Sequence, residues 1–336
     1  MLPIPALRVL SPETLEQAVE ALATPGSRLV AGGTDLLPNL KHRLLRPTQL
    51  VSLHRVQGLR ALEVDPAGGV LRLGAGLRLA EIAGSALVQQ HAPSLAEAAS
   101  LVASPQIRNM ATLGGNLSLD TRCRYVNQSE FWRGALGGCL KSEGSECHVI
   151  PGGQRCVAAM SADCVPVLAA LGARVSLFGA AGIRELPLLE YYRNDGADHL
   201  MRAADEILQE VRIPLPEGRR LERYVKWRVR GSIDFPLVSV ALSFELEEAA
   251  GAKVRACRVV VAVLGARPRE VRLRAIAGRP LDAALAATIA EAVHSQCRPL
   301  ENVPYEAEHR RHMLRVLTRR AIEALARESG TAEAGS

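Results

Sequence analysis

A chain of 336 residues is longer than one ordinary core needs, and at roughly 100–200 residues per domain it predicts two or three domains. Hydrophobic residues make up 48% and charged residues 23%, a balance typical of a globular protein and unlike a disordered or membrane-embedded chain. The net charge of +6 comes from scattered arginines, and with 3% aromatic residues no basic stretch carries the stacking side chains that bind single-stranded nucleic acid. We therefore expect no nucleic-acid partner.

The sequence shows no sign of insertion into a membrane or of export. No apolar run approaches the ~20 residues of a membrane span, and the first residues lack the basic and apolar regions of a secretion signal. We therefore expect a cytoplasmic location, where the seven cysteines would not form a disulfide framework.

The first predicted elements lead into a glycine turn. Residues Ser11–Leu22 predict a helix with Ser11 as its N-cap. The segment Arg28–Ala31 predicts a short strand that runs directly into Gly32-Gly33-Thr34-Asp35, after which an apolar pattern resumes at Leu36. The sequence therefore places this glycine turn at the end of a strand.

The middle of the chain predicts a hairpin, two helices and a second glycine loop. In chain order these predictions are strands at 60–64 and 70–74, helices from about 79 and over 94–102, a loop at 103–118 and a strand at 173–178. The loop contains a second glycine pair, Gly114-Gly115.

The pattern changes after about Arg223 to long alternating strands followed by helices. The strands are predicted at 238–246 and 255–264 and the helices at 282–296 and 306–327. Residues Pro214–Gly218 carry the proline and glycine expected of a boundary. We therefore predict an α+β protein divided into residues 1–58, 59–217 and 218–330.

The two glycine loops have the composition of phosphate-binding loops. Glycine lets several backbone N–H groups approach an anion and adopts the unusual φ values that such a turn needs. Thr34 and Thr112 add hydroxyl donors. Neither loop completes the G-x-G-x-x-G or P-loop signature, and a double glycine after a strand is most often only a tight turn. A nucleotide bound here would need both loops to hold its diphosphate.

Four of the cysteines form the pattern C-x15-C-x7-C-x8-C in a segment rich in glycine, serine and charged residues. They are Cys123, Cys139, Cys147 and Cys156. Four thiolates can hold a [4Fe–4S] cluster or a tetrahedral zinc ion, although the C-x2-C pairs usual in zinc ribbons are missing. His148 is a possible substitute ligand, and a loop histidine without a metal is the more frequent case. Cys164, Cys257 and Cys297 are expected to be buried structural residues.

Three segments resemble the FAD-binding subunits of the molybdenum hydroxylase family, which includes xanthine and carbon monoxide dehydrogenases. They are AGGTDLL (31–37), QIRNMATLGGNL (106–117) and SADCVPVLAALGA (161–173), and the similarity continues through 205–214 and 226–242. The resemblance covers nearly the whole chain. It implies a two-subdomain FAD-binding fold of the vanillyl-alcohol-oxidase type, followed by the small α+β C-terminal domain of the CO dehydrogenase flavoproteins.

The resemblance also implies which residues hold FAD. Both glycine loops would bind the diphosphate, Asp163 the ribose or adenosine region, and Leu208 and Lys226 would lie beside the flavin or the adenine. The implied cofactor residues are Val30, Ala31, Gly32, Gly33, Thr34, Asp35, Leu36, Thr112, Leu113, Gly114, Gly115, Asn116, Asp163, Leu208 and Lys226. No acid–base catalytic residue is expected, because the family places that chemistry in another polypeptide.

About forty residues separate the second glycine loop from the SAD segment, where most members of the family have only a few. This cysteine insertion, residues 120–160, together with the segments RCRYVNQSEFWR (122–133) and YYRNDG (191–196), resembles the β subunits of 4-hydroxybenzoyl-CoA reductases. The similarity implies a [4Fe–4S] cluster on the four cysteines, a molybdenum-cofactor large subunit and a [2Fe–2S] small subunit as partners in a heterohexamer, and reduced ferredoxin as electron donor. Two alternatives remain open: an FAD subunit of an NAD-linked hydroxylase, and a zinc-binding assembly subunit without flavin.

Overall fold

Three separate β-sheets organise the chain. A computed structural model describes residues 2–65, 67, 69–247 and 253–330. The strands are β1 (Arg8–Leu10), β2 (Ser27–Val30), β3 (Gln49–Ser52), β4 (Leu62–Asp65), β5 (Val70–Gly74), β6 (Arg174–Gly179), β7 (Gly182–Pro187), β8 (Ile207–Pro214), β9 (Arg220–Trp227), β10 (Val238–Leu246), β11 (Val254–Ala262) and β12 (Arg269–Glu270). Each of the three parts predicted from the sequence contains one of these sheets. The boundaries between the parts remain a prediction.

The helices lie between and after these strands. They are α1 (Leu15–Leu22), α2 (Leu36–Lys41), α3 (Leu79–Gly84), α4 (Ala86–His91), α5 (Pro93–Ser100), α6 (Pro105–Arg108), α7 (Leu113–Leu117), α8 (Glu130–Ala135), α9 (Cys164–Ala170), α10 (Ala283–Gln296) and α11 (Ala307–Glu328), with a 3-10 turn at Leu188–Tyr191. In the described part of the chain, no helix combines the length and the apolar character needed to cross a membrane.

The first sheet is parallel and the other two are antiparallel. The strand orders are β1-β3-β2, β4-β5-β8-β6-β7 and β12-β11-β10-β9. In the first sheet, α1 packs Leu15, Val19 and Leu22 against Val51. This sheet is small, and its role is to place the turn that follows β2.

The second sheet forms the largest core. Leu71, Leu73, Val175 and Leu177 of this sheet are buried in one cluster with α9 and α5. Every residue of α9 is buried, because the helix also packs against β10 and β11 of the third sheet. The small and apolar segment at 162–173 is therefore the contact between the second and third parts of the chain.

The third sheet is covered on both faces. Val240, Leu242 and Phe244 of β10 pack with α10 and α11, whereas Ala241 joins the core around α9. This explains why β10 is buried at nearly every position, although its hydrophobic pattern alternates. Arg310 of α11 is fully buried in this region and donates hydrogen bonds to the carbonyl oxygens of Leu237, Leu300 and Val263.

Several sequence predictions need correction. The first helix starts later than expected, because Thr14 and not Ser11 is its N-cap, accepting a hydrogen bond from the Gln17 backbone. Residues 103–118 are not one loop, since α6 and α7 are two short helices within them. The strands of the predicted hairpin are confirmed as β4 and β5; Pro66 and Gly68 of their connection lie outside the described residues.

Candidate cofactor sites

The first glycine loop joins β2 to α2 as predicted. Gly33 adopts φ of +70°, a conformation that favours glycine. Among the residues that the structure describes, none accepts a hydrogen bond from the backbone N–H groups of Gly32, Gly33, Thr34 or Asp35. Four consecutive free donors on a partly buried turn are suited to an anionic group such as a diphosphate.

The second glycine pair lies inside α7. Thr112 caps this helix, because its hydroxyl oxygen accepts a hydrogen bond of 3.1 Å from the Gly115 backbone. Gly114 is held against the turn before α3: its N–H donates to the Ala75 carbonyl at 2.8 Å, and an added Cβ would lie 2.8 Å from the Ala75 side chain. Asn116 accepts a hydrogen bond from the Cys164 backbone and so connects this loop to α9.

The two glycine loops meet backbone to backbone. A Cβ placed on Gly32 would lie 1.9 Å from the carbonyl oxygen of Met110, far inside van der Waals contact. This position therefore requires glycine for close approach. The contact brings the free N–H groups of the first loop beside the second loop, whose own N–H groups from Leu113 to Asn116 donate to protein acceptors. The first loop therefore offers the free donors for a diphosphate, and the second loop holds it in place. The residues present fit the phosphate groups of FAD.

Asp163 and Lys226 form a buried ion pair. The Lys226 Nζ lies 3.0 Å from Asp163, and the Tyr224 hydroxyl donates to the same carboxylate at 2.7 Å. Lys226 also donates to the Leu101 carbonyl at 2.9 Å. Burial raises the pKa of Asp163 and lowers the pKa of Lys226, while the opposite charges counteract both shifts. The pair joins α9 to β9, so both side chains have protein partners.

Leu208 is a core residue of β8. It is 5% exposed and pairs with Leu177 of β6. The remaining predicted cofactor residues, Val30, Ala31, Leu36 and Leu113, flank the two glycine loops. The loops are therefore brought together, whereas the cofactor roles of Asp163, Leu208 and Lys226 remain predictions.

The four cysteines of the insertion line one cavity. Cys123 and Cys156 are buried, and Cys139 and Cys147 are partly exposed. Burial raises the pKa of Cys123 and raises that of Cys156 to about 11. Among the described residues, no group of three or more His, Cys, Asp or Glu side chains is placed to hold a metal ion. The four thiols therefore share one cavity without forming a preassembled metal site among the described residues.

The surrounding contacts shape this cysteine cavity. His148 lines it as well, but its Nε2 lies 2.6 Å from the Gly138 carbonyl. An added Cβ on Gly196 would lie 3.0 Å from the Cys156 sulfur. Cys164 and Cys297 are buried as predicted, in the cores around α9 and the third sheet. Cys257 is only partly buried and packs against the core of the third sheet.

No sequence pattern indicates the role of Arg122 at the first glycine loop. Its guanidinium pairs with Asp35 of the first glycine loop and lies 3.8 Å over the Phe235 ring. Burial raises the pKa of the Asp35 carboxyl, and the adjacent guanidinium opposes that shift. Arg122 directly precedes Cys123, so it connects the glycine loop to the cysteine insertion. Only its position next to a candidate ligand could have indicated this role.

The insertion leaves and rejoins the body of the protein at one place. Arg122 and Ala159 form an antiparallel bridge, with backbone hydrogen bonds of 2.8 Å and 2.6 Å. Its ends are therefore held together by the fold before any ligand binds.

Residues 5–216 match the family described as the FAD binding domain in molybdopterin dehydrogenase, and residues 223–325 match the CO dehydrogenase flavoprotein C-terminal domain. The fold and the paired glycine loops are thus those of an FAD-binding oxidoreductase subunit. The chain belongs to the FAD-binding subunits of the molybdenum hydroxylase family, whose medium subunits work with large and small partner subunits. The fold class predicted from the sequence is confirmed.

Curated relatives share much of the length of the chain. The aldehyde oxidoreductase FAD-binding subunit PaoB of Escherichia coli K12 is 36% identical over 67% of this chain and 73% of its own. The xanthine dehydrogenase FAD-binding subunit of Escherichia coli O157:H7 is 26% identical over 94% of this chain and 95% of its own.

Solved structures show the same fold. Carbon monoxide dehydrogenase from Hydrogenophaga pseudoflava superimposes with a TM-score of 0.78 at 23% identity, covering 97% of this chain and 98% of that chain. Quinoline 2-oxidoreductase from Pseudomonas putida 86 gives a TM-score of 0.76 at 24% identity, covering 98% and 99%.

Proposed function

We propose that this chain is an electron-transfer subunit that carries both FAD and a [4Fe–4S] cluster, the latter on Cys123, Cys139, Cys147 and Cys156. The observation that supports the cluster is that four thiols spread over residues 123–156 line one cavity. Burial raises the pKa of the Cys123 and Cys156 thiols, so a metal centre that uses them as ligands would have to displace their protons.

The spacing of the four cysteines favours a cluster over zinc. A single zinc ion draws four ligands to one point, whereas an iron–sulfur cube keeps its ligands farther apart. The four cysteines are widely spaced in the sequence and lack the C-x2-C pairs usual in zinc ribbons, which favours the cluster. When bound, the cluster would transfer one electron at a time. The chain would provide the four thiolate ligands and enclose the cluster in the cavity.

The glycine loops would hold FAD next to this centre. The free N–H groups of residues 32–35 would donate to the diphosphate, with the Thr34 hydroxyl as a further donor. Asp163, Leu208 and Lys226 would lie around the rest of the cofactor. When bound, FAD accepts electrons singly or in pairs and so couples one-electron centres to two-electron chemistry.

We further propose that the complete enzyme removes the phenolic hydroxyl of 4-hydroxybenzoyl-CoA. Two electrons from reduced ferredoxin and two protons would convert this thioester to benzoyl-CoA and water. The basis is the similarity of the cysteine insertion to that of 4-hydroxybenzoyl-CoA reductases. The molybdenum-cofactor large subunit would carry the reaction, and a [2Fe–2S] small subunit would connect it to this chain in the cytoplasm.

The first test is the composition of the protein purified without oxygen. We expect a flavin spectrum together with iron and acid-labile sulfide. The variant Cys139→Ser should lose most of the iron while it retains flavin, whereas Cys257→Ser, on β11 outside the cavity, should retain both. Zinc in place of iron, or iron unchanged in Cys139→Ser, would refute the cluster.

The electron donor and substrate need separate tests on the complete enzyme. The competing proposal is exchange with NAD, which we retain because several relatives are named dehydrogenases. In stopped-flow experiments, reduced ferredoxin should reduce the flavin much faster than NADH does. Formation of benzoyl-CoA from 4-hydroxybenzoyl-CoA would support the reductase; its absence with an active electron supply would exclude that substrate.

A further inference from the structure

Lys141 is a buried cation in the cysteine insertion. It lies between Cys139 and Cys147 in the chain, and its side chain is 10% exposed. Its Nζ donates to the Asp120 Oδ1 at 2.5 Å, to the Thr121 Oγ1 at 2.5 Å and to the Gly196 carbonyl at 2.7 Å. These contacts use all three ammonium donors and fix the position of the charge.

The Lys141–Asp120 pair is oriented toward the thiols. Lys141 lines the cysteine cavity. Among the described residues of this lining, Lys141 carries the charge, and Asp120 does not belong to the lining. The lysine, and not the aspartate, is therefore the partner that borders the cavity of the four cysteines.

A fixed cation at this position acts on the oxidation state of whatever the thiols hold. A cube with four thiolate ligands is an anion, and its negative charge grows by one unit when it accepts an electron. In a partly buried site with a low effective dielectric constant, a nearby cation stabilises the more negative state more strongly. Such a cation raises the reduction potential.

We propose that Lys141 and Asp120 act as an oriented charge pair that sets the reduction potential of the centre on the four cysteines. Lys141 raises this potential, and Asp120 limits the increase by partly neutralising the ammonium. The inference rests on the cluster proposed above. Neither residue is a ligand; both would act on the centre through their charges.

The experiment is a redox titration of the purified complex, followed by the electron paramagnetic resonance signal of the reduced cluster. We expect Lys141→Gln to lower the ratio of reduced to oxidised cluster about tenfold at a fixed ambient potential, which is about 59 mV for a one-electron couple. Asp120→Asn should shift the ratio in the opposite direction. Lys253→Gln removes the same charge from an exposed position near β11 and should change nothing.

Opposite shifts distinguish electrostatic tuning from loosened packing, which would move both variants in the same direction. Equal potentials in all iron-loaded proteins, or shifts of the same sign, overturn the inference. If Lys141→Gln fails to retain iron, Asp120→Asn alone decides: a raised potential supports the pair, and an unchanged or lowered one refutes it. A wild-type complex without the electron paramagnetic resonance signal of a reduced [4Fe–4S] cluster would instead overturn the proposed function, and this inference with it.

Discussion

At the scale of single residues, close approach of two backbones determines what the cofactor site tolerates. Gly32 lies so near Met110 that a methyl group has no space, and the obstacle is a carbonyl oxygen, which cannot rotate away as a side chain could. The requirement for glycine here is steric and does not depend on φ, in contrast to Gly33.

We therefore expect Gly32→Ala to separate the two glycine loops and to weaken FAD binding by at least about tenfold, roughly 1.4 kcal/mol. The flavin-to-protein absorbance ratio after purification measures this effect. Gly84→Ala is the matched control, because Gly84 has open space around its Cα and ends α3. Equal flavin content in both variants would show that the contact is unimportant for the cofactor.

A single buried histidine makes stability depend on pH. His199 lies close to Lys141 and hydrogen-bonds to the Leu119 carbonyl, and burial together with the lysine charge lowers its pKa from 6.5 to about 4. The unfolded chain therefore takes up a proton at a higher pH than the folded protein does. The contribution of neutral His199 to the free energy of unfolding is fully present above pH 6.5, and it is lost as the pH decreases from 6.5 to 4.

The loss over this interval should reach up to about 3 kcal/mol of unfolding free energy. His199→Gln keeps a hydrogen-bond donor but cannot take up a proton. We expect the melting temperature of this variant to fall less than that of the wild type between pH 7.5 and pH 4.5. Parallel curves for the two proteins would assign the pH dependence to other groups.

At the scale of elements, the link between α9 and β9 depends on the buried pair of Asp163 and Lys226. Removal of one partner leaves an uncompensated charge, which costs about 3–5 kcal/mol, whereas removal of both can be nearly neutral. Asp163→Ala should thus strongly lower the melting temperature. The double variant Asp163→Leu/Lys226→Met should recover most of the loss.

The flavin content of the same double variant tests the cofactor role. If Asp163 also contacts FAD, the double variant should regain stability and still lack flavin. Recovery of both would leave Asp163 as a purely structural residue. A single variant that melts like the wild type would contradict the importance of the pair itself.

Local sequence patterns predicted most of the elements but not the contacts between them. The amphipathic helices and the long strands β10 and β11 were found because their periodicity is local. The strands β1 and β3 were not predicted, since each is short and is defined by parallel pairing with distant residues. The helix α7 was not predicted, because two of its five residues are glycines, which disfavour a helix; Thr112 caps it.

The same limit applied to the site. Both glycine loops were predicted from composition, whereas the contact between Gly32 and Met110 depends on packing between distant segments. The cysteines stood out because their residue type is rare in loops. Lys141 and Asp120 did not, since charged residues in a polar segment usually face solvent; only the fold shows that Lys141 is buried.

At the scale of the whole molecule, the core around α9 joins the second and third parts of the chain. Tyr224, Ala241, Val260 and Ala262 of the third sheet belong to the same buried cluster as α9. The second and third parts of the chain therefore share one core. The third sheet is needed to cover the helix that connects to the second glycine loop.

A fragment that ends at residue 217 should expose the apolar surface of α9 and aggregate or bind a hydrophobic dye. It should also lose flavin, because Asn116 is positioned by the start of this helix. Size-exclusion chromatography and dye fluorescence measure the outcome. A monomeric, yellow fragment would show that the two parts are independent.

The bridge between Arg122 and Ala159 has a consequence for the history of the chain. Residues paired in this way lie about 5.5 Å apart, so a direct peptide connection with a short turn could replace everything between them. The two ends of the inserted segment are adjacent in the folded protein. One genetic event can therefore add or remove such a segment without displacing any strand. Such an event would add the cysteine-lined cavity to an existing flavin-binding fold and leave that fold unchanged.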